Sequence, residues 1–298
     1  MKNSKYTISE IQAKSILQHS GLPGVAYVVN PYTGCRFGCK YCYAYFVGRF
    51  RHPSEEWGSY VDAKLNAPEL LKKELLAKLG KNKKKDLGEI FFSSVTDPYQ
   101  GIEAKYLLTR QCLSVLADLA YQGKVTILTK SSLVTRDIDV FTELYDLEVG
   151  ITVTSTGDPI TRYLETFAPP NEDRLKALVQ LHKAGIKTYA FIGPLLPHFV
   201  WKSRELDNLF KQLKSSGISY LYVEHLNLAP YIRDRLETYL TNDHPELIDK
   251  FRESCKPEYR EKLDHIIYQL TKKYDLPLGL NQTIYHKDKT TWRNLQKT

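Results

Sequence analysis

The chain has 298 residues, of which 42% are hydrophobic and 26% are charged; these values favour one large folded core and exclude a disordered chain. The net charge of +8 is compatible with an anionic partner such as nucleic acid. Residues 1–5 lead into no apolar segment, and no stretch approaches about 18 apolar residues. We therefore expect a cytoplasmic protein without a secretory signal or a membrane span.

Strand-like and helix-like segments alternate after residue 25, which is the pattern expected of a parallel sheet with crossover helices. Several of the strand-like segments are continuous apolar runs, as expected for strands that are buried on both faces. The predicted strands are residues 25–30, 89–94, 124–129, 149–154, 187–192 and 220–224, with a weaker candidate at 277–283.

Three helices between these strands have clear sequence signals. A long apolar stripe predicts the first over residues 104–121. In the second, Asn171 is the expected N-cap and Gly185 the residue after the C-cap. Ser203 and Gly217 bracket the third in the same way.

Three cysteines follow the first predicted strand, and their spacing is the most informative feature of the sequence. Cys35, Cys39 and Cys42 form the pattern C-x3-C-x2-C. Three thiolates this close together can hold an iron–sulfur cube by three of its four irons, whereas clusters used for electron transfer normally have four cysteine ligands. The missing fourth ligand would leave one iron open, as catalytic metal sites leave a position for substrate.

Two other uses of these cysteines are less well supported. A structural zinc site normally has four Cys or His ligands, and the nearest candidate, His52, lies ten residues past Cys42. No second cysteine pair follows downstream. Disulfides are disfavoured because three is an odd number and the protein is expected to be intracellular. The spacing therefore favours a cluster, with zinc as the alternative.

At these residues the sequence resembles the radical SAM superfamily, whose signature is C-x3-C-x-aromatic-C with Tyr41 here in the aromatic slot. The resemblance implies two cofactors, a 4Fe-4S cluster and S-adenosylmethionine (SAM). It implies that one electron from the reduced cluster cleaves SAM to methionine and a 5′-deoxyadenosyl radical, which abstracts hydrogen from a substrate. A flavodoxin or a ferredoxin would be the electron donor.

The resemblance also implies a fold, a partial (β/α)6 barrel of the TIM type, and the six predicted βα units match it. In such barrels the functional residues gather at the carboxyl ends of the strands. No repeat or linker divides the chain, so we expect one domain over residues 1–298. Its core barrel would span about residues 25–228, with a short N-terminal extension and a helical C-terminal extension over about 229–298.

Later segments are similar to the spore photoproduct lyase-like branch of the superfamily. They are residues 30–35, 96–103, 128–131 and 167–170, followed by Arg174. In the lyase, a cysteine just after the second strand donates a hydrogen atom to the product radical. The corresponding residues 92–97 contain no cysteine, which argues against the same repair reaction.

Several polar residues at predicted strand ends are candidates for binding SAM. The resemblance gives Lys130 a role in pairing with the SAM carboxylate, with a solvated lysine as the alternative. Asp97 would accept a bond from the SAM amino group or only start a turn. Thr154 and Ser155 would bind the methionine or ribose end or only cap a turn. Gly193 would let the backbone approach adenine or only form a turn.

Other residues are candidates for chemistry or packing. Tyr99 could replace the missing cysteine as hydrogen donor, so Tyr99 and Lys130 are the candidate catalytic residues. Glu224, His225 and Asn227 form a polar group at a strand end that could face substrate. Cys112 and Cys255 lie in apolar patterns and are expected to be packing residues, with hydrogen donation as the alternative for Cys255.

The favoured function is a radical SAM enzyme that acts on DNA or RNA, in the manner of spore photoproduct lyase but without its hydrogen-donor cysteine. The alternative within the superfamily is modification of a peptide or a small molecule. The alternative of another class is a non-catalytic iron–sulfur or zinc protein that binds nucleic acid.

Overall fold

The computed structural model describes residues 6–82 and 85–286. In chain order the strands are β1 (Thr7–Ile11), β2 (Leu17–His19), β3 (Tyr27–Val29), β4 (Tyr32–Thr33), β5 (Tyr60–Lys64), β6 (Ile90–Phe92), β7 (Val125–Thr129), β8 (Leu147–Thr152), β9 (Lys187–Leu195) and β10 (Tyr220–His225).

The α-helices are α1 (Ala67–Asn82), α2 (Glu103–Tyr106), α3 (Leu108–Asp118), α4 (Ile138–Phe141), α5 (Pro159–Leu164), α6 (Asn171–Lys183), α7 (Pro197–Val200), α8 (Ser203–Ser215), α9 (Pro230–Asp243), α10 (Ile248–Glu253) and α11 (Pro257–Tyr274). Short 3-10 helices occupy Tyr43–Phe50, Ser132–Asp137 and Pro245–Leu247.

The main sheet has the strand order β10-β9-β8-β7-β6-β3-β2. Neighbours from β3 to β10 are parallel, and β2 is antiparallel to β3. Connecting helices cover the sheet, and their apolar faces bury residues such as Leu178 and Leu181 in the same core as Ile127 and Val149. The six predicted strands and the partial (β/α)6 barrel are therefore confirmed.

A second, three-stranded sheet with the order β1-β5-β4 was not predicted. β4 follows β3 after two residues and pairs with β5, with Tyr32 opposite Ala63. The cysteine segment begins directly after β4. The small sheet therefore holds the chain where it enters that segment.

The predicted helix over residues 104–121 is wrong in one respect, because it is broken into α2 and α3 at Leu107. Leu107 has a φ of 55°. The buried Glu103 side chain accepts hydrogen bonds from the backbone N–H groups of Thr109 (3.0 Å) and Arg110 (3.2 Å). These are free N–H groups in the first turn of α3, so Glu103 stabilises a new helix start.

The N-terminal boundaries of the other two predicted helices differ by one residue from the prediction. Asn171 and Ser203 are the first helical residues of α6 and α8, and the residue before each occupies the N-cap. The structure has Gly185 and Gly217 directly beyond the C-caps of these helices, as expected.

The last described part of the chain runs along β10, an edge strand of the main sheet. Residue pairs Leu221–Leu278 and Glu224–Ile284 form isolated parallel bridges, so the weak strand predicted at 277–283 is an irregular segment along β10. Helices α9 to α11 occupy much of the predicted C-terminal extension, whose residues 287–298 lie outside the described residues. The division into one domain with two extensions stays a prediction. Over residues 6–82 and 85–286, helices long and apolar enough to cross a membrane are absent.

Candidate functional site

The three motif cysteines line one cavity of about 380 Å³ inside the barrel. Each is a free thiol. Burial raises the pKa of all three, that of Cys39 to about 12. The thiols are therefore neutral on their own, and a positively charged group would be needed to hold them as thiolates.

Backbone hydrogen bonds fix the loop that carries the cysteines. The N–H of Gly38 donates to the carbonyl of Cys35 (3.2 Å), and the N–H of Cys42 donates to the carbonyl of Cys39 (3.1 Å). The N–H of Lys40 donates to Leu164 at the end of α5 (2.9 Å). The loop is thus anchored both within itself and to a barrel helix.

Two glycines allow this loop to contact the segment before β5. Gly38 and Gly58 both have positive φ, at 58° and 99°. A Cβ on Gly58 would lie 2.8 Å from the Gly38 Cα, which is closer than non-bonded carbons can approach. The two backbones are in direct contact, and only glycine fits at Gly58.

The three cysteines are candidate ligands of a cluster, with a single zinc ion as the alternative. In the part of the chain that the structure describes, groups of three or more Cys, His, Asp or Glu side chains arranged to hold one metal ion are absent. All ligands of a zinc ion bond to one atom, whereas cysteine ligands of a cluster bond different irons and can lie further apart. Cys112 and Cys255 do not line the cavity, so three thiols face it.

The buried carboxylate of Glu165, which the sequence did not single out, contacts four polar side chains. It accepts hydrogen bonds from the hydroxyl groups of Tyr41 and Thr154 (the latter at 3.0 Å) and from Arg174 Nη2 at 2.6 Å. Lys130 Nζ lies 3.7 Å from Glu165 Oε1. Burial alone would raise the pKa of Glu165, but the charges of Arg174 and Lys130, with the hydrogen bonds, lower it to about 2.

This network orients two of the predicted residues at the cavity. Tyr41 and Lys130 both line it, and the Lys130 ammonium lies 5.9 Å from the centre of the Tyr41 ring. Because Glu165 is already paired with Arg174, Lys130 keeps donors available for an anionic ligand.

Asp97 also lines the cavity, and its carboxylate accepts three hydrogen bonds from the protein. It accepts hydrogen bonds from the Thr129 hydroxyl (2.6 Å) and from the backbone N–H groups of Lys130 (2.8 Å) and Tyr99 (2.9 Å). Burial raises its pKa. These bonds tie the loop after β6 to the end of β7, and a role of Asp97 in accepting a bond from the SAM amino group stays a prediction.

Tyr99, Thr154 and Ser155 are buried and do not line the cavity. The Tyr99 hydroxyl donates to Asp137 at 3.0 Å, so the geometry gives Tyr99 a packing role in place of the predicted hydrogen-donor role. The Ser155 hydroxyl oxygen accepts bonds from the Gly157 N–H and the Asn171 side chain, both at 3.0 Å. The Ser155 hydroxyl therefore caps a turn, which is the second of the two roles considered for it above.

Gly193 lines the cavity, but its missing side chain serves a residue of the protein itself. A Cβ at Gly193 would lie 1.7 Å from Cε1 of Phe191. The Phe191 ring therefore occupies the space that glycine leaves, and this ring forms part of the cavity wall. The glycine shapes the cavity through Phe191.

Ser93 is a second residue that sequence analysis missed. It lines the cavity, has a φ of 67°, and its buried hydroxyl has no hydrogen-bond partner among the described residues. Strained backbone and an unpartnered buried hydroxyl are both costly, and they are typical of a position shaped for a ligand. The cavity therefore fits a molecule with polar groups as well as a cluster.

Of the three polar residues predicted at the end of β10, two line the cavity and one does not. Glu224 and Asn227 line the cavity, and Glu224 pairs with a third missed residue, His286, at 2.9 Å. His225 is buried with its Nε2 2.6 Å from the Ser254 carbonyl, which is a structural contact.

The predicted packing role of Cys255 is wrong, because α10 ends at Glu253 and leaves Cys255 exposed. Cys112 is buried in the core as expected.

Comparison with known proteins places this geometry in context. The family model described as Radical SAM superfamily matches residues 29–210. An uncharacterized protein of Methanocaldococcus jannaschii is 34% identical over 271 residues, which are 91% of this chain and 96% of the relative. An uncharacterized protein of Mycobacterium tuberculosis is 30% identical over 286 residues, which are 91% of this chain and 82% of the relative.

Solved structures agree with the fold. Spore photoproduct lyase complexed with dinucleoside spore photoproduct matches with a TM-score of 0.70 and 16% identity, over 91% of this chain and 81% of the lyase. A lyase mutant with bound AdoMet and dinucleoside spore photoproduct matches at 0.66 and 17%, with the same coverage. Streptococcus suis SuiB bound to precursor peptide SuiA matches at 0.54 and 13%, over 90% of this chain and 50% of SuiB. At these identities the likeness concerns the fold.

Proposed function

This chain belongs to the radical SAM superfamily, and we propose that Cys35, Cys39 and Cys42 hold its 4Fe-4S cluster. It is a radical SAM enzyme that uses this cluster together with SAM. When bound and reduced, the cluster supplies the electron that cleaves SAM to methionine and a 5′-deoxyadenosyl radical. The observation that carries the ligand assignment is that three free thiols of the motif, two of them buried and that of Cys42 partly buried, line one cavity while the other two cysteines do not.

Residues of the cavity wall are proposed to bind SAM. Lys130 offers an ammonium for the carboxylate, because Arg174 already neutralises its neighbour Glu165. Ser93 offers the unpartnered hydroxyl for another polar group of the amino-acid end. We propose that Ser93 acts here beside Asp97, whose carboxylate accepts three hydrogen bonds within the protein and keeps an acceptor position on Oδ2. Phe191, seated over Gly193, supplies an apolar wall.

The substrate is proposed to be a nucleic acid. The net charge of +8 favours a polyanion, and the structurally similar lyase is bound to a dinucleoside. The rings of Tyr43, Phe191 and Tyr222 line the cavity and could contact a base. Glu224 beside His286 offers a hydrogen-bond acceptor and an imidazole to a base edge. The reaction differs from that of the lyase in its terminal hydrogen donor.

Anaerobic reconstitution tests the cluster and the chemistry together. The wild-type protein with iron, sulfide, SAM and a chemical reductant should load a cluster and release 5′-deoxyadenosine. Cys39→Ala should do neither, whereas the control Cys255→Ala, which removes an exposed thiol outside the cavity, should do both. A fully loaded wild-type cluster that releases no 5′-deoxyadenosine would contradict the assignment. Replacement of the chemical reductant by a flavodoxin or a ferredoxin then tests the proposed electron donor.

Binding of single-stranded DNA and RNA tests the substrate class. The affinity should fall steeply as salt rises, because phosphate contacts release counterions. Glu224→Gln should weaken binding without changing the salt dependence, since it alters a base contact and no phosphate contact. Absence of binding at every salt concentration would favour a peptide or a small molecule. Transfer of deuterium from a bound oligonucleotide to 5′-deoxyadenosine would identify the carbon attacked.

A further inference from the structure

Helix α9 brings one cation to the outer side of the cysteine loop. Arg235 Nη1 donates to the carbonyl of Cys39 at 3.3 Å and, in a shorter contact, to the carbonyl of Lys40. The guanidinium is flanked by the rings of Tyr45 and Tyr239, with centroids 5.1 and 5.2 Å away. Arg235 is therefore fixed by two backbone carbonyls and two aromatic rings.

Among the residues that the structure describes, Arg235 is paired directly with no carboxylate, although Tyr239 beside it donates its hydroxyl to Glu56. The Nη2 of Arg235 is buried without a hydrogen-bond acceptor among the described residues. Arg233 lies on the same helix, and its guanidinium pairs with the carboxylate of the adjacent Asp234 at 2.7 Å. The two arginines thus differ in partner and in contact with the loop.

A fixed positive charge beside a cluster favours the state with one more electron. Reduction adds a negative charge, and a nearby cation in a partly buried setting stabilises that charge more strongly than water would. Net charge and solvent exposure are among the factors that set the potentials of iron–sulfur clusters. Because the carbonyls of Cys39 and Lys40 accept from Arg235, their negative ends face the guanidinium.

We propose that Arg235 is a positioning residue that raises the reduction potential of the cluster and so eases the entry of the electron that starts the reaction. The inference rests on the proposed ligation by Cys35, Cys39 and Cys42. It assigns to the C-terminal extension a part in the chemistry, although α9 lies outside the barrel strands.

The test compares three full-length variants after anaerobic reconstitution. Arg235→Gln removes the charge and keeps an amide donor, Arg235→Lys keeps the charge, and the control Arg233→Gln removes a charge that does not contact the loop. Iron and sulfide content measures cluster loading. Redox titration followed by electron paramagnetic resonance measures the midpoint potential, a quantity that a merely structural anchor would not move.

At the wild-type midpoint, Arg235→Gln should lower the ratio of reduced to oxidised cluster about tenfold, which corresponds to about 59 mV. Arg235→Lys should lower it less than threefold, and Arg233→Gln should leave it unchanged. An unshifted midpoint in a fully loaded Arg235→Gln variant would overturn the inference, as would an equal shift in Arg233→Gln.

Two further outcomes are also decisive. If Arg235→Gln does not load a cluster, the Arg235→Lys variant decides. A tenfold fall in its ratio of reduced to oxidised cluster would mean that the potential depends on the shape of the arginine side chain and not on its charge. If the wild-type protein loads no cluster, the cysteine assignment itself is wrong, and this failure is distinct from an unshifted potential.

Discussion

Replacement of Glu165 by glutamine should destabilise the protein strongly, because it leaves a buried arginine without its counter-charge. Arg174 is 1% exposed, and its Nη2 donates to Glu165 at 2.6 Å. Removing one partner of a buried ion pair typically costs about 3–5 kcal/mol. The neutral amide also turns a donor toward Tyr41 or Arg174, which both need an acceptor. A domain with a typical stability of about 5–15 kcal/mol would lose a large part of it.

The pH dependence of the unfolding free energy gives a second estimate of how much the ionised Glu165 stabilises the fold. The pKa of Glu165 in the folded protein is about 2, below its ordinary value of 4.5. A carboxylate with a lowered pKa stabilises the fold above pH 4.5, and that contribution is lost as pH falls toward 2. A lowering of this size corresponds to about 3 kcal/mol. The difference in unfolding free energy between wild type and Glu165→Gln should therefore shrink between pH 4.5 and pH 2.

Urea denaturation of wild type, Glu165→Gln, Arg174→Met and the double variant measures these effects. The double variant should be more stable than the sum of the single losses predicts, by at least about 1 kcal/mol, because neither charge is left alone. Glu172→Gln, which removes an exposed carboxylate of α6, is the matched control and should change stability little. A loss below about 1 kcal/mol for Glu165→Gln, with no dependence on acid pH, would refute the buried-pair argument.

Three further substitutions test other parts of the site. Gly193→Ala should cost about 1–3 kcal/mol in thermal unfolding, because its Cβ displaces the Phe191 ring, and adding Phe191→Leu should restore part of the loss. Ser93→Gly should stabilise the cofactor-free protein by about 1 kcal/mol, because glycine adopts a positive φ without strain. The same variant, once reconstituted, should bind SAM about fivefold more weakly, and an unchanged SAM affinity would exclude the Ser93 hydroxyl as a ligand. Tyr99→Phe should cost about 1 kcal/mol in denaturation and leave the yield of the normal product from substrate unchanged, whereas loss of that product while 5′-deoxyadenosine release continues would restore Tyr99 as a hydrogen donor.

Features encoded by neighbouring residues were predictable from the sequence. Apolar runs such as those around Ile90 and Val125 are local signals of buried strands, and all six predicted strands occur. The cysteine spacing is likewise local, and the structure brings Cys35, Cys39 and Cys42 to one cavity. Lys130, directly after β7, and Gly193, near the end of β9, also line that cavity because the functional residues of such barrels gather at the carboxyl ends of the strands.

Features that depend on contacts between distant segments were not predictable. Glu165 follows α5 in a stretch without any motif, and its role arises only because Tyr41, Lys130 and Arg174 converge on it. The break at Leu107 depends on the side chain of Glu103 acting as a cap, which an apolar stripe does not reveal. His286 reaches the cavity only because the final segment lies along β10.

The contact between Gly38 and Gly58 restricts how this sequence can vary. Most close contacts in proteins join side chains, so a larger residue at one position can be offset by a smaller one at the other. Here each partner offers only backbone, with the Gly58 Cβ position 2.8 Å from the Gly38 Cα. No second-site change in a side chain can relieve that overlap. In a saturation library selected for cluster loading, Gly58 should therefore tolerate no replacement, and suppressors should not arise at position 38.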